Sequence, residues 1–93
     1  MTCIVLFGME SVVNIAIAGV TDKNSERLFR YGIEKYPGGT FFIYKNINEV
    51  FERMGEIEYQ RLILSDSYSE NDVNCVKDYV NEKEFAIEVE LYI

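Results

Sequence analysis

The hydrophobic rhythm of this chain switches repeatedly between two periods, and that switching constrains the fold more than any other feature. Thr2 to Phe7 is a short continuous apolar run closed by Gly8, the pattern of a strand covered on both faces. Ser11 then reads as the N-cap of a short apolar helix through Val12-Val13-Asn14-Ile15-Ala16-Ile17-Ala18 that ends at Gly19. Ser25 is placed to cap a second helix through about Tyr36, with Leu28, Phe29 and Ile33 inward and Glu26, Arg27, Arg30 and Glu34 outward. Tyr36-Pro37-Gly38-Gly39 is a turn.

Thr40 to Tyr44 is a β-branched and aromatic strand. Ile47, Val50, Phe51 and Met54 follow at helical spacing, and Glu58 to Ser65 reads as a third strand around Leu62-Ile63-Leu64. Ser69-Glu70-Asn71-Asp72 opens another helix with an acidic first turn, and Val73, Val76 and Val80 form its inward stripe. From Phe85 to Ile93 the apolar residues Phe85, Ile87, Val89, Leu91 and Ile93 alternate with Ala86, Glu88, Glu90 and Tyr92. One face of that strand is covered and the other wet, as at a sheet edge. Strands regularly separated by helices imply a mainly parallel four-stranded sheet with helices on both faces. The expectation is one small three-layer α/β domain over residues 1–93, with Thr2–Phe7 and Glu58–Ser65 interior and the last strand at an edge.

Ninety-three residues, 48% of them hydrophobic, suit a single core. A net charge of −7 without histidine argues against a surface built for nucleic acid or anionic membrane. Cys3 and Cys75 are too few for a secreted disulfide scaffold. No run reaches the length of a membrane span and no basic leader precedes Cys3, so the default setting is the cytoplasm. The charge is unevenly spread. Residues 1–48 carry 4 acids and 5 bases, whereas residues 49–93 carry 12 acids and 4 bases.

Open parallel sheets bind ligands beyond the carboxyl ends of their strands. Glu10 and Asp66 would meet there and could hold a divalent cation, although both also suit turns and helix starts. A phosphoacceptor receiver site needs an acidic pair, an acceptor Asp and a late Lys, and only Asp66 fits. Neither GxGxxG nor GxxxxGK[ST] is present, and neither cysteine has a histidine to activate it. No catalytic residue, metal or cofactor is expected.

The stretch Gly8-Met9-Glu10-Ser11-Val12-Val13-Asn14-Ile15-Ala16-Ile17-Ala18-Gly19-Val20 resembles a signature of V-type and A-type ATPases, near the start of the F component of their central stalk. Gly8, Glu10, Ser11-Val12 and Ile17-Ala18-Gly19-Val20 carry the match, and Phe41 to Tyr44, Ile47 to Phe51, Tyr59 to Ser65 and Phe85 to Leu91 follow in the family's order. The family continues into a C-terminal helix beyond its fourth strand, so the resemblance is to a truncated or diverged member. It implies a non-catalytic central-stalk subunit docked beside a coiled-coil rotor subunit of an ion-translocating, hydrogen-ion-transporting ATPase. The alternative from charge alone is a small acidic inhibitor or regulatory module, of phage or viral type, acting on a basic protein partner. Either way the expected partner is a protein, with no nucleic acid, membrane insertion or small-molecule substrate. Its expected contact residues are Glu88, Glu90 and Tyr92 on the last strand with Glu70 and Asp78 on the helix beside it.

Overall fold

The computed structural model describes residues 13–92. Within that range the order is β1 (Asn14–Ala18), α1 (Ser25–Lys35), β2 (Thr40–Ile43), α2 (Ile47–Arg53), β3 (Arg61–Leu64), α3 (Glu70–Glu82) and β4 (Glu88–Leu91). The sheet is parallel throughout, in the order β2-β1-β3-β4. The expected strand Thr2–Phe7 and the positions Gly8, Glu10, Ser11 and Val12 lie outside the described residues.

The expected helix ending at Gly19 is a strand instead. Asn14–Ala18 is β1, at the centre of the sheet between β2 and β3. Ile15 and Ile17 point to one face and Ala16 and Ala18 to the other, and all four are fully buried. A strand covered on both faces shows no polar-apolar alternation, so its periodicity matches that of a buried helix. Gly19, with φ of +81°, ends the strand rather than capping a helix.

The sheet separates two cores. On one face α1 brings Leu28 onto Ile15, Ile17 and Ile63, with Tyr31, Tyr36, Phe41 and Tyr92 packed around them. On the other, α2 and α3 bring Val50, Val73, Val76 and Val80 onto Ala16, Ala18, Leu62 and Leu64, with Met54 and Tyr59 filling the space over the small alanines. Burial of each large aliphatic side chain there contributes roughly 1.5–3 kcal/mol. The β1-to-β2 connection moves one way across one face, and the other two connections move the opposite way across the opposite face. All three crossovers therefore share one hand, as parallel connections require.

Local chemistry sets the helix starts. Asn46 accepts the Glu49 N–H at 3.2 Å while Glu49 accepts the Asn46 N–H, and Ser69 and Asp72 make the same reciprocal pair before α3. Before α1 the cap is Asn24 rather than Ser25. The buried Asn24 side chain folds back, accepting the Thr21 N–H at 2.7 Å and donating to the Gly19 carbonyl at 3.1 Å. That closes the β1–α1 turn. Helix α1 stops before Pro37, whose ring disfavours helical backbone at Tyr36. Among the described residues no helix is long and apolar enough to cross a membrane.

Two inward assignments on α1 are corrected. Leu28 is buried, but Phe29 and Ile33 are 46% and 43% exposed. They lie on the flank of α1 that faces β2, where Phe29 meets Phe41 edge-to-face with ring centroids 5.7 Å apart.

Candidate partner-binding surface

The crevice that normally takes a ligand in this topology lies where β1 and β3 are neighbours and their following helices leave on opposite faces. Here it is filled from within. Tyr68, after β3, lies across Gly19, so that a Cβ on Gly19 would sit 2.6 Å from the Tyr68 ring. The Tyr68 hydroxyl accepts the Ile47 N–H at 3.0 Å, engaging the start of α2. Ser65 is buried beneath, and its hydroxyl oxygen accepts the Ser67 N–H at 3.2 Å. Asp66, the expected companion of Glu10 in a cation site, lies 3.7 Å from the Arg27 guanidinium. Glu10 is outside the described residues. Among those described, no group of three or more His, Cys, Asp or Glu side chains gathers as a metal site.

The last strand is at the sheet edge, as its alternation implies. Its expected wet face lies on the α1 side of the sheet and is covered over only part of its length. Glu88 is exposed and pairs with Arg61 on the neighbouring strand. Glu90 and Tyr92, farther along the same face, are covered by α1. Tyr92 packs edge-to-face on Tyr31 with centroids 5.0 Å apart. The Glu90 side chain is only 20% exposed and accepts from Tyr31 at 2.6 Å, from Lys35 at 2.8 Å and from Tyr36. Both Lys35 and Arg61 lie over the Tyr36 ring, and Lys35 also lies over Tyr31. Partial burial pushes the Glu90 carboxyl up, but the bonds from Lys35, Tyr31 and Tyr36 outweigh it and hold the group below its ordinary value. Burial and the same carboxylate push Tyr31 and Tyr36 up, and bonding to Glu90 pushes Lys35 up. Glu90 is thus a latch between β4 and α1, and it is withdrawn from the expected contact set.

The remaining acidic residues do form one surface. Helices α2 and α3 share a layer and carry Glu49, Glu52, Glu70, Asp72, Asp78 and Glu82 against Arg53 and Lys77. Helix α1, on the opposite face, carries Glu26 and Glu34 against Arg27, Arg30 and Lys35. The sequence imbalance has become a difference between the two sides of the sheet. Glu70 borders the groove between α3 and β4 with Asn74, Lys77, Val89 and Leu91, and Glu88 borders its lower end with Asn81 and Ile87. Asp78 is exposed on the same helix but outside that groove. Glu70 and Asp78 therefore share the α3 side of the molecule, while Glu88, whose side chain pairs with Arg61 on the α1 side of the sheet, and Tyr92 do not join them.

No family model, curated protein or solved structure matches the chain. The motif residues Ala18 and Gly19 end a central strand, not the apolar helix that the sequence pattern assigned to them.

Sequence reasoning missed Tyr31, Lys35 and Tyr36 as partners of Glu90, because 54 to 59 residues separate them and nothing local marks the pairing. It also missed Tyr68 as the plug of the crevice. A small residue ending a strand, with an aromatic just past a neighbouring strand, is the one signal that pointed there.

Proposed function

We propose that this chain is a non-catalytic docking subunit that recognises a basic protein surface through the α2–α3 layer. One observation carries the reading: six carboxylates and only two bases sit on the helices of that layer, while α1 on the other side is mixed. A one-sided field steers an oppositely charged partner and sets association rate and specificity more than affinity. The plugged crevice supports the same reading, since Tyr68 occupies the position where this topology would seat a small ligand.

The resemblance to the central-stalk component gives the partner as a coiled-coil rotor-stalk subunit of an ion-translocating ATPase, in a cytoplasmic setting. A second reading, a free-standing acidic inhibitor of a basic protein, rests on the same acidic layer without the family resemblance. Affinity recovery of the tagged full chain from its native cells separates the two. ATPase subunits in the complex support the stalk reading, and a basic protein without them supports the inhibitor. A complex that forms equally fast at low and high salt contradicts both.

A further inference from the structure

Among the described residues the two edges of the sheet are defended very differently. At β4 the edge carries Glu88 and Glu90, paired with Arg61 and Lys35. At β2 the edge segment Thr-Phe-Phe-Ile carries no charge, and Ile43 is 46% exposed. Exposed edge strands of this kind pair with another strand unless charge, proline or a covering element prevents it. The three large hydrophobic side chains that stand most exposed among the described residues, Phe29, Ile33 and Ile43, gather at this one edge. Phe29 and Ile43 line a shared apolar cleft with Val20 and Leu28, and Ile33 continues the strip one helical turn along α1.

We propose that this edge is a self-association surface, in which the β2 edge and the Phe29–Ile33 strip of one copy meet those of a second copy across a two-fold axis. Charge selects a second copy as the occupant. Two chains of net −7 repel over most of their surfaces, most strongly through their α2–α3 layers. The strip is bordered instead by Glu26 and Arg30, which pair at 3.0 Å. A border of both signs is self-complementary, as an isologous interface requires. Pairing at β2 also leaves both acidic layers facing outward and free for a basic partner.

This proposal and the docking reading depend on salt in opposite senses. Screening weakens attraction to a basic partner but relieves repulsion between two acidic copies. Sedimentation equilibrium of the full chain tests it, using wild type, Ile43→Glu, Phe29→Glu and, at the opposite edge, Glu88→Lys. Wild type is expected to form a dimer with Kd on the order of 0.1 mM, tightening as salt rises. Ile43→Glu and Phe29→Glu weaken it by about tenfold or more, whereas Glu88→Lys does not. A wild-type chain that stays monomeric at millimolar concentration overturns the proposal, and slow exchange of the outward Phe41 and Ile43 amides in that monomer assigns the edge to another part of the same chain. Folded variants that dimerise like wild type overturn it as well. Should both variants lose the wild-type circular dichroism, exchange of the Phe41 and Ile43 amides, which point away from β1, decides in wild type: protection that rises with protein concentration supports the dimer, and protection independent of concentration refutes it.

Discussion

Lys35 Nζ lies 2.8 Å from Glu90 Oε1, across 55 residues of sequence, and this contact fastens the edge strand β4 to α1. The Glu90 carboxyl is held below its ordinary value of 4.5, so the folded state binds its proton less readily than the unfolded chain. Its contribution is therefore complete above that ordinary value and is lost as pH falls through the lower, folded value. Glu90→Gln is expected to cost about 1–2 kcal/mol at pH 7, the scale of a charge-assisted hydrogen-bond set on a half-buried group. Urea unfolding at successive pH values should show a shallower acid-side loss in the variant than in wild type. Parallel pH profiles would mean that the latch contributes nothing.

Gly19 meets two demands at once, a positive φ and contact with Tyr68. Gly19→Ala is expected to destabilise by about 2–4 kcal/mol, combining the left-handed backbone cost with overpacking. In a Tyr68→Ala background the same change should cost less, since the ring is gone and only the backbone cost and the crowding against Ser65 Oγ remain. A double-mutant cycle with no coupling would refute the seating of Tyr68 on Gly19.

Asn24 donates to the Gly19 carbonyl and accepts the Thr21 N–H from a buried position. Asn24→Ala leaves those two backbone groups unsatisfied and should cost about 2–3 kcal/mol. For a domain of this size each kcal/mol lowers Tm by roughly 4–8 °C. Ser25→Ala, at the neighbouring helical position first expected to be the cap, should move Tm far less. Equal losses for the two would restore Ser25 as the cap.

Much of the architecture was legible because its signals are local. The Ser69–Asp72 capping box and the Val73, Val76 and Val80 stripe specify α3 within a dozen residues, and the alternation after Phe85 marks β4 as an edge. The central strand was not legible from its pattern. Asn14–Ala18 is buried on both faces, so neither a two-residue nor a 3.6-residue period survives in it. On α1 the spacing of Leu28, Phe29 and Ile33 shows an apolar side but not how far the sheet extends beneath it, and the sheet ends before Phe29 and Ile33 are covered. At the surface, the acidic character of α3 was readable by counting. The fate of Glu90 was not, because its cost of burial is offset by Tyr31, Lys35 and Tyr36 from a distant helix.

The central claim is that the α2–α3 layer, rather than net charge alone, recognises a basic partner. Its most direct test compares association rates of the recovered partner with two double variants of identical charge change. Asp78→Lys with Glu82→Lys reverses the acidic layer at exposed positions, and Glu26→Lys with Glu34→Lys makes the same change on α1. At low ionic strength the α3 pair should slow association by about tenfold and the α1 pair by far less, with the difference shrinking above roughly 0.15 M salt. Equal slowing by the two pairs, or none by either, would contradict the account.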